Sequence, residues 1–203
     1  MTTVAVLDYG MGNLHSVSRA LAKVGATVEV TGDAELGARA DALVVPGVGH
    51  FGACMRALAR HGLEDVVRRV ASSGAPVLGV CLGMQVLFER SEEDDADGLG
   101  VLSGGSRKLP DDVKVPHMGW NDVTWIAPHP YVAQLAPGTR FYFVHSYAPD
   151  VIDGLTVGTA EYGRAFSAVV ARDNVFATQF HPEKSGDAGL QLYETFVKEA
   201  GAK

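Results

Sequence analysis

Apolar positions in the first half of the chain form short continuous runs separated by stretches of helical spacing. Residues 3–8 are a β-rich apolar run and residues 9–13 are broken by glycines. Leu14, Val17, Ala20, Leu21 and Val24 then recur at the helical interval. Gly25 stops that helix, and residues 27–31 and 42–45 read as further short strands. Helical patterns with arginines on one face follow at 54–60 and 63–70, before a strand at 76–80. Strands that are almost wholly apolar, alternating with helices, predict an α/β fold whose mostly parallel sheet is covered on both faces. Ligands of such sheets sit at the carboxyl ends of the strands. Past residue 98 the pattern changes to strand-like segments at 114–115, 122–126, 141–147 and 166–171, with dense turn signals. Arg172-Asp173-Asn174 predicts a hairpin into a strand at 175–180, so an antiparallel section is expected in the second half. Residues 188–200 read as a closing amphipathic helix, and the acidic run at 91–97 as a solvated loop.

Composition narrows the partners. With 203 residues, 47% of them hydrophobic and 20% charged, a single domain over 1–203 is expected. The net charge of −7 offers no basic footprint for nucleic acid or an anionic membrane. The longest apolar stretch, residues 75–88, is shorter than the roughly 20 residues of a bilayer span. No basic signal region opens the chain, so a cytoplasmic location is expected. Cys54 and Cys81 form no C-x-x-C pair, so neither a disulfide framework, a metal site nor a cofactor is expected from them.

The segment Gly79-Val80-Cys81-Leu82-Gly83 runs from a predicted strand into a helical pattern, the context of a G-x-C-x-G nucleophile elbow. A sharp turn there pushes the thiol out of the sheet, and small neighbours are needed because side chains would collide with adjacent backbone. A helix N-terminus behind Cys81 would favour the thiolate. Cys54 is the internal control, inside a helical pattern without flanking glycines, and reads as packing. A second apolar strand leads to Gln179-Phe180-His181-Pro182-Glu183. Residues i and i+2 of extended chain project to one side, so Glu183 can orient the His181 imidazole and His181 can serve the nucleophile as its base. The Leu82 backbone N–H is one candidate oxyanion donor, and Val48 N–H in the loop Pro46-Gly47-Val48-Gly49 is the second. Gly47 and Gly49 would let the peptide before Val48 turn toward or away from the oxyanion.

The same loop formally matches G-x-G-x-x-G from Gly47 to Gly52, the best argument for a nucleotide-binding or scaffold module. The acidic residue that this fingerprint needs about 20 positions on would fall on Glu64 or Asp65, inside a helical pattern rather than at a strand end.

At these residues the chain resembles the class I, triad-type glutamine amidotransferases and, more closely, the glutaminase subunits of imidazole glycerol phosphate synthases. The segments Asp8-Tyr9-Gly10-Met11-Gly12-Asn13-Leu14, Pro46-Gly47-Val48-Gly49, Pro116-His117-Met118-Gly119-Trp120-Asn121 and Tyr142-Phe143-Val144-His145-Ser146-Tyr147 carry the closer likeness, which spans nearly the whole chain. The elbow and His-Pro-Glu alone would leave glutaminases of other class I amidotransferases open. The resemblance implies a flavodoxin-like three-layer fold in which Cys81 attacks the side-chain amide of L-glutamine, His181 protonates departing ammonia, and Glu183 orients His181. It places Gly47, Val48 and Leu82 around the oxyanion. Gly49, Gln85, Ser146, Tyr147 and Glu93 would lie around the substrate, with Glu93 against its ammonium. It also implies a separate TIM-barrel cyclase as partner, no cofactor, and an interface or ammonia passage involving Asn13, Pro116, Trp120, Tyr142 and Lys184.

Overall fold

The structure is a computed structural model and describes residues 1–202. The first half alternates as β1 (Thr3–Leu7), α1 (Leu14–Lys23), β2 (Thr27–Thr31), α2 (Ala34–Arg39), β3 (Ala42–Gly47), α3 (Phe51–Arg60), α4 (Leu63–Ser73), β4 (Val77–Cys81) and the single turn α5 (Leu82–Gln85). Short strands β5 (Arg90–Ser91), β6 (Ala96–Asp97) and β7 (Gly105–Lys108) follow, then β8 (His117–Asp122), β9 (Thr124–Trp125), β10 (Arg140–His145) and β11 (Tyr147–Pro149). The chain closes with β12 (Thr156–Glu161), β13 (Ala165–Arg172), β14 (Val175–Thr178) and α6 (Gly186–Ala200).

The main sheet has the order β2-β1-β3-β4-β14-β13-β12-β9. Its first five strands are parallel, and the pairs from β14 outward are antiparallel. Alternation along β1 explains the layers. Val4 and Val6 face a core shared with Val17 and Leu21 of α1 and Leu192 and Phe196 of α6. Ala5 and Leu7 face the opposite core, with Phe51 and Leu58 of α3 and Val66 and Val67 of α4. Each strand buried on both faces must be apolar at every position, which is why the sequence shows runs there instead of alternation. Among the described residues, no helix is long and apolar enough to cross a membrane.

Several expected elements differ. Residues 114–115 form no strand; they precede a cis Val115–Pro116 peptide. The run at 141–147 divides at Ser146: β10 pairs with β8, whereas β11 joins a separate four-stranded sheet of order β11-β7-β5-β6. The run at 122–126 divides likewise between the end of β8 and β9. The strand expected at 175–180 stops at Thr178. Helix α2 was not expected, although Asp33 caps it by accepting from the backbone of Glu35 and Leu36. The acidic run is exposed at Glu92, Asp94, Asp95 and Asp97 as expected, but it is tied down by hydrogen bonds and is not a free loop: Glu92 accepts from Lys108 N, Glu93 from Phe51 N and Asp94 from Gly52 N. Glu93 and Asp94 pin the small sheet to the start of α3, where they complement the helix N-terminus, while Glu92 holds β7.

Candidate active site

Strand β4 lies between β3 and β14, and its last residue, Cys81, ends at the carboxyl edge of the sheet beside Gly47. Cys81 adopts φ 55° and ψ −111°, a left-handed conformation that only strong packing holds for a residue with a side chain. That packing is glycine on glycine. A Cβ on Gly83 would lie 1.8 Å from Val45 O, one on Gly47 2.5 Å from Gly83 N, and one on Gly79 2.8 Å from Gly83 O. The helix expected behind Cys81 is only one turn long, so the dipole argument weakens to the few N–H groups that open α5.

Three residues past the end of β14, His181 sits extended and Pro182–Lys184 turns as a 3-10 helix, not as continued strand. The pairing expected from extended spacing is therefore made by a tight turn: Glu183 Oε1 lies 2.7 Å from His181 Nδ1, and both side chains are buried. The neighbouring β10 holds the histidine in place. His181 N donates to Tyr142 O at 2.9 Å, Ser185 Oγ donates to His181 O at 2.6 Å, and Tyr142 N donates to Ser185 Oγ at 3.0 Å. Ser185 carried no signal in the sequence because its role is to join His181, four residues back, to Tyr142 on a distant strand. Asn13 Nδ2 donates to Glu183 Oε1 at 3.3 Å.

Burial works against a charged His181, but the interactions with Cys81 and with Glu183 outweigh it and hold the imidazole well above its ordinary range. His181 Nε2 is buried, makes no hydrogen bond of ordinary geometry, and is left for the sulfur of Cys81, whose proximity raises the imidazole. Cys54, buried like Cys81, differs in its neighbours and its access. It lies fully buried in α3, its thiol donates to Tyr9 Oη, and burial pushes it up to about 11. Tyr9 in turn donates to Pro46 O, so the loop Gly47-Val48-Gly49 is anchored from beneath.

A cleft of about 260 Å³ opens over Cys81. Of the residues singled out from the sequence, Val48, Gly49, Leu82, Gln85, Glu93, Pro116, Ser146, Tyr147, His181 and Lys184 join Cys81 in its walls. Gly47 lies under the elbow, and Glu183 behind His181. Trp120 and Tyr142 lie outside the cleft, edge-to-face at 6.3 Å, with Lys184 Nζ over the Tyr142 ring at 5.7 Å. Met118 and Trp120 present exposed apolar surface there. Val144 and His145, quoted above only as part of a resembling segment, also line the cleft. Of the two glycines beside Val48, Gly49 stands at a positive φ of 94°, and Gly47 lies where a Cβ would meet Gly83 N.

A family model described as "Glutamine amidotransferase class-I" matches residues 5–200. The imidazole glycerol phosphate synthase subunit HisH of Acinetobacter baylyi is 50% identical over 204 residues, covering 98% of both chains, and that of Chromobacterium violaceum is 48% identical, covering 96% of both. The chain belongs to the class-I glutamine amidotransferases, in the HisH family. A crystal structure of a glutamine amidotransferase aligns with this HisH-family chain at TM-score 0.76 and 23% identity, covering 98% of each. A putative GMP synthase protein from Thermoplasma acidophilum aligns at TM-score 0.77 and 19% identity, covering 100% of this chain and 95% of that one. At those identities the likeness is one of fold: the mixed α/β architecture of these flavodoxin-like amidotransferases is this chain's own.

Proposed function

We propose that this HisH-family amidotransferase hydrolyses L-glutamine to glutamate and ammonia through Cys81, His181 and Glu183. It would act as the glutaminase subunit of imidazole glycerol phosphate synthase in histidine biosynthesis. The observation that carries the reading is Cys81 itself: a thiol held at positive φ in a cleft wall, coupled to an imidazole whose far nitrogen is fixed by a carboxylate. The Cys81 thiolate attacks the amide carbon. The C–N bond breaks as His181 gives its proton to the departing nitrogen, leaving a glutamyl thioester and ammonia. His181 then takes a proton from water, the resulting hydroxide attacks the thioester, and the C–S bond breaks to release glutamate. Glu183 keeps the ring in the tautomer that presents Nε2 to the sulfur, and Asn13 steadies that carboxylate.

The N–H groups of Leu82 and Val48, beside Gly47, are assigned to the oxyanion. Gln85 Oε1 is buried and no donor reaches it, while the Nε2 of the same amide donates to Tyr147 O and Gln179 Oε1. A substrate ammonium is a donor that would satisfy it. Glu93, whose oxygens already hold His50 and the start of α3, stands on the same wall with Gly49, Ser146 and Tyr147 and adds the negative charge an ammonium requires. Ammonia in bulk water would be protonated or lost, so a partner must accept it through a dry path. The exposed Met118 and Trp120, with Tyr142, Pro116 and Lys184 between them and the cleft, form the face we assign to a TIM-barrel cyclase. That partner would use the ammonia to make imidazole glycerol phosphate and aminoimidazole carboxamide ribotide. Docking on that face would turn the Gly47–Val48 peptide, through ψ of Gly47 and φ of Val48, and complete the oxyanion site. Gly47→Ala would not isolate such a turn, since its Cβ would meet Gly83 N.

The experiment is a glutamine-to-glutamate assay on the free chain, the cyclase complex and the complex with the cyclase ligand bound. The reading expects low, higher and highest rates; equal rates in all three would remove the partner-dependent part of it. Loss of all turnover in Cys81→Ala is required by the catalytic part.

A further inference from the structure

Three buried polar side chains beside the cleft, Gln179, His145 and His117, have no part in the chemistry above. They belong to one hydrogen-bonded line that ends on the nucleophile. Gln179 Nε2 lies 3.9 Å from Cys81 Sγ, and its Oε1 accepts from Gln85 Nε2 at 3.0 Å. Gln85 Nε2 also donates to Tyr147 O at 2.8 Å. The same carbonyl meets His145 Nδ1 at 3.0 Å, His145 Nε2 meets His117 Nδ1 at 3.0 Å, and His117 Nε2 meets Asn121 Nδ2 at 3.4 Å.

The polarity of this line is fixed by its one obligatory acceptor. A backbone carbonyl cannot donate, so His145 carries its hydrogen on Nδ1. Burial pushes His145 down to about 3 and His117 down to about 4, so both rings are neutral at pH 7. His145 Nε2 is then an acceptor, His117 donates to it from Nδ1, and His117 Nε2 is left to accept from Asn121. On the other side, turning the Gln85 amide over would set its oxygen against Tyr147 O. Gln85 must therefore present hydrogens to both Tyr147 O and Gln179 Oε1, and Gln179 must present its NH₂ to the sulfur. Gln179 is fully buried, so it has no water to turn toward.

We propose that Gln179 is a positioning residue for Cys81: its amide, oriented by Gln85 against the Tyr147 carbonyl, donates to the sulfur and favours the ionised thiol. The inference rests on the reading of Cys81 as nucleophile. A donor aimed at an anion strengthens as charge forms, so the contribution belongs to the thiolate more than to the thiol. The other ionisable groups around that sulfur are His181, His145, Lys184, Glu93 and Tyr147 around the cleft, with Tyr9 and Cys54 beneath.

The test is the pH profile of Cys81 alkylation by iodoacetamide in the full chain, followed on the Cys81 peptide by mass spectrometry. In Gln179→Met the midpoint should move upward by about one pH unit, giving about tenfold slower alkylation on the lower limb and an unchanged plateau at high pH. Gln179→Glu, which sets a carboxylate against the sulfur, should slow the lower limb further. A packing role alone would leave the midpoint where it is, and that result in folded Gln179→Met overturns the proposal. Should that variant not fold, the wild-type side chain decides. The Gln179 amide resonances should move with pH in step with Cys81 ionisation and lose that response in Cys81→Ser. No response in the wild type overturns the proposal equally. Failure of the nucleophile reading would show separately, as glutaminase turnover surviving in Cys81→Ala.

Discussion

The two cysteines of this chain occupy opposite kinds of surroundings within one sheet's reach. Cys81 ends a central strand at positive φ, in the wall of an open cleft, facing a buried imidazole. Cys54 sits in α3 with no exposure, donating to a tyrosine, its ionisation suppressed by burial. The thiol chemistry is identical, so the difference in expected reactivity comes from backbone conformation, access and neighbouring charge. Glycine supplies the first of these: Gly47, Gly79 and Gly83 let three segments of backbone approach closely enough to hold Cys81 where an ordinary turn would not.

The strongest way to break the comparison is Cys81→Ala. Glutamine hydrolysis should fall by about 10⁴-fold or more, while the assembled synthase keeps working when ammonia salts are supplied, as measured by glutamate release and by cyclase product. Next come the groups that make Cys81 different. His181→Ala should approach the loss seen for the nucleophile. Glu183→Gln should be roughly tenfold to a hundredfold milder, because Nδ1 would still find an oxygen to hold it. Steady-state kinetics of the two variants decides, and a reversed order would mean that the roles of base and orienter are misassigned.

The elbow was legible because its cause is local: an apolar strand, a cysteine and two glycines at fixed spacing. The His181–Glu183 pair was legible from spacing, but for a mistaken reason, since a Pro182–Lys184 turn and not extended chain brings them together. What escaped was set by distant contacts. Gln179, Ser185, His117 and His145 find their partners across β-strands far apart in sequence, and no periodicity marks them. The small sheet was hidden for a related reason: two-residue strands such as β5 and β6 carry no alternation to read. The acidic run was exposed as read, but its contacts to α3 were hidden because charge alone does not say whether a helix N-terminus lies opposite.

On the other side of the comparison the expected effects are small. Cys54→Ser keeps a donor toward Tyr9 but buries a more polar group. A cost of about 1–2 kcal/mol in chemical denaturation is expected, with turnover within about twofold of wild type. A much larger loss of turnover would show that Cys54 serves the site through Tyr9 and Pro46, the support of the Val48 loop.

The most direct measurement is covalent labelling of the intact chain with an electrophilic glutamine analogue, read by peptide mass spectrometry for both cysteines at once. The account predicts modification of the Cys81 peptide alone, protected by added glutamine and lost in His181→Ala. Modification of Cys54 in the folded chain, or labelling of Cys81 that is indifferent to both glutamine and His181, would contradict it.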